Sequence, residues 1–249
     1  MSEPVLDAII RLFALVAKED RITQQEREYI EVFLSDHLSK KATENHLRLF
    51  DEYAQEISAK LSATQEKEVI QEICHSINQE VAQKQKVVII LELMSVILAD
   101  GTISERERSL GLAISEALNI TSQDLELIKK YVLASTREEA DHGNILVIDS
   151  NPQPLQHAKH LYREELHGFI AVLYLPTTDS FFFKYLGNSD VYLNGVPQKR
   201  RNIIVLGTGS ILRWDAVDPV YYGEIQAQFK KGSKTARTTF EAKNISYVF

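Results

Sequence analysis

Asp100-Gly101-Thr102-Ile103-Ser104-Glu105-Arg106-Glu107-Arg108 stands between two helical patterns. A looser copy lies eighty-one residues earlier, as Glu19-Asp20-Arg21-Ile22-Thr23-Gln24-Gln25-Glu26-Arg27. Each copy follows an apolar helical pattern with an acidic turn, a central Ile and a polar helix start. The constant spacing points to a structural duplication in an all-helical segment. Thr23-x-x-Glu26 and Ser104-x-x-Glu107 are capping boxes. In such a box the hydroxyl accepts from a helix-start N–H, and the Glu reaches back to the cap's own N–H.

Outward from these turns, apolar residues recur at steps of three and four. The series are Leu6-Ile9-Ile10-Phe13, Tyr29-Ile30-Phe33-Leu34, Leu47-Phe50-Tyr53-Ile57, Val69-Ile73-Ile77, Val87-Leu91-Met94-Ile97-Leu98, Leu110-Ala113-Ile114-Ala117 and Leu125-Ile128-Val132. These spacings predict about seven helices. Residues 1–140 contain only Gly101, Gly111 and Pro4 as breakers, which suits a helix bundle.

After Asp141-His142-Gly143-Asn144 the period changes. Residues 145–148, 168–175, 180–185, 191–193, 203–206, 210–213 and 222–229 read as short β-rich runs, with Gly, Pro, Asn or Asp at most joints. Residues 157–165 read as one short helix or a polar excursion. The expected fold class is therefore α+β in separate domains. A helical bundle over 1–140 precedes a small all-β sandwich over 141–229, and residues 230–249 form a linker and one further strand.

Composition narrows the function. Residues 1–140 hold sixteen Lys and Arg against twenty-five Asp and Glu, a net −9, whereas residues 141–249 carry +2. An acidic bundle argues against nucleic acid and admits cations or basic partners. Cys74 is the single cysteine, so no intramolecular disulfide forms, as befits a cytoplasmic protein. Within a helical apolar pattern it reads as a small core residue. The apolar stretch 87–99 is interrupted by Glu92 and is too short to span a bilayer, so no direct membrane insertion is expected. His37, His46 and His75 have no second ligand at useful spacing. No nucleophile with a base and no preformed cofactor loop is visible, so a non-catalytic role is expected. Gly232-Ser233-Lys234-Thr235 mimics the tail of a P-loop but lacks the loop's first Gly.

Ala99-Asp100-Gly101-Thr102-Ile103-Ser104-Glu105-Arg106-Glu107 resembles the Ala-Asp-Gly-x-Ile-x-x-x-Glu turn of TerB-like tellurite-resistance proteins. The first copy departs from it, with Lys18-Glu19-Asp20-Arg21 in place of the Ala-Asp-Gly opening. The resemblance covers about residues 1–135 and implies that the turn acids meet around a metal cation. Carried over, the candidate ligands are Glu19, Glu26, Asp100 and Glu107. Clustered carboxylate oxygens suit Ca²⁺ or Mg²⁺, and the lack of neighbouring His or Cys disfavours zinc. Helix capping accounts for Glu26 and Glu107 without any ligand, and both readings stand.

Two further resemblances are short. Tyr185-Leu186-Gly187-Asn188-Ser189-Asp190-Val191-Tyr192-Leu193-Asn194-Gly195, with Ile203–Leu212, is similar to the second half of a forkhead-associated domain. That family's Gly-Arg start and Ser-x-x-His are missing, and only Ser189 and Asn194 could be nominated for phosphopeptide contact. Lys199-Arg200-Arg201 reads as a solvated hairpin edge. A docking sandwich is the preferred reading. Residues 239–249, ending Asn244-Ile245-Ser246-Tyr247-Val248-Phe249, resemble the opening strand of an ABC-transporter ATPase, in which Phe249 falls where an aromatic stacks on adenine. The resemblance implies an accessory module at the N-terminus of a longer transporter ATP-binding protein. ATP would enter only through the downstream domain. The partners would be the ATPase and membrane domains of the same chain, at the inner face of the membrane. The alternative is a free-standing, metal-binding stress-response protein.

Overall fold

The computed structural model describes residues 3–16, 24–56, 63–98, 103–214 and 218–230. Seven helices come first: α1 (Glu3–Val16), α2 (Gln24–His37), α3 (Lys40–Glu56), α4 (Ala63–Glu80), α5 (Gln83–Ile97), α6 (Glu105–Ala117) and α7 (Ser122–Leu133). Nine strands follow: β1 (Ile145–Asp149), β2 (Lys159–Tyr162), β3 (Gly168–Leu175), β4 (Ser180–Gly187), β5 (Val191–Leu193), β6 (Val196–Pro197), β7 (Ile203–Leu206), β8 (Ile211–Trp214) and β9 (Val220–Tyr221). A last helix, α8 (Tyr222–Lys230), closes the described chain. The α+β reading holds, with the change of character near residue 140.

Two helices form the centre of the bundle because they are apolar on almost every side. In α1, Val5, Ile9, Ile10, Leu12, Phe13 and Leu15 are all buried, and α1 packs on α3, α4 and α5. A helix that is hydrophobic all round must be covered all round. In α5 the buried set runs from Lys86 to Ile97, and this helix touches α1, α2, α6, α7 and strand β7. The C-terminus of α6 is finished from outside. The Asn78 side-chain amide donates to the Ala117 carbonyl (2.8 Å), and that of Gln83 donates to the Asn119 carbonyl (2.9 Å). These amides satisfy carbonyls that a helix end leaves without intrahelical donors.

The strands form a five-stranded sheet, in the order β2-β1-β3-β4-β7, and a four-stranded one, in the order β6-β5-β8-β9. The larger sheet is buried on both faces. Ile145, Val147, Phe169, Ala171, Leu173 and Phe182 join the core of the helical bundle. Their alternates Leu146, Ile148, Ile170, Val172, Phe181 and Phe183 join a second core, with Val191, Leu212, Trp214 and Ile225. Side chains alternate across a strand, so each strand serves two cores at once. The molecule is layered as helices, large sheet, and small sheet with α8.

Two local readings of the sequence are corrected. Residues 159–162 are neither helix nor excursion, but strand β2, paired in parallel with β1 through Leu146–Lys159 to Asp149–Tyr162. Residues 222–230 are helix α8 and not a strand. Tyr222, Ile225 and Phe229 face the second core at steps of three and four, with Phe229 beside Phe181 at 5.6 Å and Tyr174 at 5.1 Å. The chain ends beyond α8 in residues 231–249, which lie outside the described region.

Candidate functional site

Of the four candidate metal ligands, Glu107 is the one whose side chain is described. Ser104 caps α6: its Oγ accepts from the Glu107 N–H at 3.1 Å, and Glu107 Oε2 accepts from the Ser104 N–H at 2.8 Å. The box read from the sequence is therefore present as a box. Glu105 and Glu107 also place negative charge on the first turn of α6, where the helix dipole favours it. Arg106, beside them, pairs with Glu66 of α4 at 2.5 Å. Glu19, Asp100 and Phe249 lie outside the described residues, as do the side chains of Glu26 and His37. Among the described residues no group of three or more His, Cys, Asp or Glu is arranged to hold a metal ion.

The other residues singled out from the sequence have local structural roles. The Cys74 thiol is buried, and desolvation pushes its pKa up to about 12, an effect only partly countered by Lys86, so it is an inert core residue. His46 Nδ1 lies 2.7 Å from the Ala42 carbonyl and His75 Nε2 lies 2.8 Å from the Gln79 amide, each within its own helix. Ser189 Oγ accepts from the His167 N–H and Asn194 Oδ1 from the Ile211 N–H, both at 2.9 Å, so each ties backbone to backbone. Asn194 and Gly195, at φ 54° and 82°, form the two-residue turn between β5 and β6.

The densest polar arrangement lies along α7, where the bundle meets the large sheet. At the helix start, Thr121 Oγ1 accepts from the Asp124 N–H (3.1 Å), and Asp124 Oδ2 accepts from Thr177 in the β3–β4 turn (2.9 Å). In the last turn, the buried Tyr131 hydroxyl lies 3.1 Å from the Ala171 carbonyl and 3.0 Å from the Phe182 carbonyl, and burial raises its pKa. At the helix end, Lys184 of β4 is 2% exposed. Its Nζ donates to the carbonyls of Tyr131, Val132 (3.2 Å) and Ala134 (2.8 Å), and sits 4.8 Å from the centre of the Tyr131 ring. An ammonium has three donors, and the C-terminus of a helix attracts positive charge. Desolvation pulls the Lys184 pKa down to about 7; nearby Arg201 also lowers it, and Glu139 opposes.

Past α7, Asp149 completes the junction. Arg137 Nε donates to its Oδ2 at 2.6 Å, and His160 Nε2 lies 2.9 Å from its Oδ1. Asp149 is 3% exposed, so a buried carboxylate is held by one guanidinium and one imidazole. This junction was missed in the sequence. The available signal was a lone cation, Lys184, within the run Phe181-Phe182-Phe183-Lys184-Tyr185.

None of the described helices is long and apolar enough to cross a membrane. No curated protein and no solved structure matches the chain. The family model described as tellurite resistance protein TerB matches residues 6–130, from the first turn of α1 to the last turn of α7. That span takes in half of the 249 residues and both acidic turns. A helical bundle with a capped turn before α6, matched over this length, makes the chain a member of the TerB family.

Proposed function

We propose that this chain is a non-catalytic accessory module, a TerB bundle and a β-layered platform joined into one block that works by contact. The observation that carries the reading is the junction on α7. Helix α7, which begins in the family-matched region and runs just past its end, gives its last carbonyls to a buried lysine of the sheet, so the two layers are fastened to each other. Such a block suits regulation by docking. The finer reading is docking within a longer ABC-transporter ATP-binding protein. It rests on the resemblance of residues 239–249 alone. Reading the gene downstream tests it: a Gly-x-x-x-x-Gly-Lys-Ser/Thr loop within a few tens of residues is expected, and its absence removes the transporter.

The second reading is divalent-cation binding by the acidic turns, in a stress-response protein, and it is supported by the family match across both turns. Calorimetric titration of the whole chain with Ca²⁺ and Mg²⁺ separates the two. Tight binding that is lost in Glu107→Gln supports the metal role. Unchanged heats in both proteins leave the turns as helix caps.

A further inference from the structure

The outer face of the small sheet carries a cation between two exposed aromatic rings. Leu193, Leu212 and Val220 pair across three strands and turn into the second core. Side chains alternate along a strand, so their neighbours point to solvent. Tyr192 of β5 lies directly opposite Arg213 of β8, with Pro197 of β6 on its other side. Tyr221 of β9 lies opposite Ile211, two residues along β8 from Arg213. Tyr192 is 38% exposed and Tyr221 51%. The usual strand spacing and rise set the two tyrosines about 12 Å apart, with Arg213 between them. Among the described residues no acid pairs with Arg213. None of these outward positions is acidic, and Arg200 and Arg201 add exposed positive charge in the connection that leaves β6.

Exposed rings on a sheet stack the bases of a single strand, and a guanidinium grips a phosphate with paired hydrogen bonds. A stable protein contact needs about 800 Å² and 20–30 residues a side. This face has strands of two to four residues and falls well short of that. The acidic charge that argues against nucleic acid belongs to the helical bundle, on the far side of the large sheet. We propose that the outer face of the small sheet binds a short single strand of nucleic acid. One base stacks on Tyr192, another on Tyr221, and a phosphate between them meets Arg213. The site is separate from the acidic turns and the α7 junction, and it stands whether or not either functional reading above holds.

Fluorescence anisotropy on the whole chain tests it, with labelled oligothymidylate and oligouridylate of about ten nucleotides, a length within the range of single-strand sites. Binding is expected at low salt, and the tighter of the two tells DNA from RNA. Three probes of the same length serve as comparisons: a duplex, an abasic deoxyribose-phosphate strand and an oligoglutamate peptide. Each is expected to bind about tenfold more weakly or worse, because stacking of a base is worth at least that much. Tyr192→Ala and Tyr221→Ala each weaken the single strand about tenfold, whereas Tyr192→Phe keeps its affinity. Arg213→Gln lowers the slope of log affinity against log salt by about 0.7, the value of one phosphate contact on a single strand. The proposal is overturned if neither strand binds, or if both alanine variants bind as wild type does. It is equally overturned if the duplex or the abasic strand binds as tightly as the oligothymidylate. The same holds if the glutamate peptide does, which would make this a docking face for an acidic protein segment. The probe comparisons use wild type, so they decide the matter even if a variant fails to fold.

Discussion

Glu107→Gln keeps the α6 capping box, because glutamine at the third helical position can also accept from the Ser104 N–H. It removes a carboxylate, so it separates the two roles of this residue. The expected outcome is a change in unfolding free energy within about 0.5 kcal/mol, against a loss of about 1 kcal/mol for Ser104→Ala, which removes the cap itself. Urea unfolding of the two variants checks this. Lys184 is the other residue whose substitution is diagnostic. Lys184→Met leaves the carbonyls of Tyr131, Val132 and Ala134 buried without their donor, at a cost of about 2–3 kcal/mol near neutral pH. Because burial lowers the Lys184 pKa to about 7, the folded protein releases this proton before the unfolded chain does. The unfolded state thus binds more protons between that value and the ordinary lysine pKa, and stability contributed by this group rises with pH across the window. Urea midpoints measured from pH 7 to 10 should climb more steeply in wild type than in Lys184→Met. The capping box was legible in the sequence because its partners are three residues apart. The lysine cage was not, since its acceptors lie fifty or more residues away in the chain.

At the scale of elements, the close approach of β3 and β4 depends on a glycine pair. Gly168 has φ +113°, and a Cβ there would come within 2.3 Å of the Leu186 carbonyl oxygen; one on Gly187 would meet the His167 carbonyl oxygen at 2.1 Å. Gly168 and Gly187 are register partners, so neither strand can yield without breaking the pairing. Gly168→Ala is expected to destabilise by about 3 kcal/mol or more, as strained backbone positions do, measurable as a lowered melting temperature. Helix α8 shows how an element can be misread. Residues 222–229 have aromatic and apolar residues dense enough for a strand, and their helical step of 222, 225 and 229 is too short a run to decide. The pocket for Ile225 in the second core decides it. Ile225→Ala is accordingly expected to cost about 2–4 kcal/mol, as deletion of a fully buried aliphatic side chain does. Loss of helical circular dichroism below the main transition would report α8 leaving the sheet.

The whole molecule has one core running from the bundle into the large sheet and a second behind that sheet. Strands β1, β3 and β4 belong to both, so unfolding of either side exposes the other. Far-ultraviolet circular dichroism, dominated by the helices, and fluorescence of Trp214, buried in the second core, should give coincident denaturation curves. Tyr131→Ala removes the ring and hydroxyl that join α7 to Ala171 and Phe182, at about 3–5 kcal/mol. It is expected to separate the two curves, with the fluorescence change lagging. Coincident curves in this variant would show that the shared apolar core and the remaining polar ties, such as Lys184 to Ala134 and Thr177 to Asp124, couple the layers without Tyr131.

The local pattern determined the helical bundle, the capping box at the start of α6, the change to strands near residue 140 and most strand positions. Period, caps and turn residues act over a few positions and can be read there. The pairing of β2 with β1, the helical state of residues 222–230 and the two-sided burial of the large sheet were settled only in three dimensions. So were the Lys184 cage and the outer face of the small sheet. Each depends on surfaces brought together from distant parts of the chain, where burial and hydrogen-bond satisfaction outweigh local propensity.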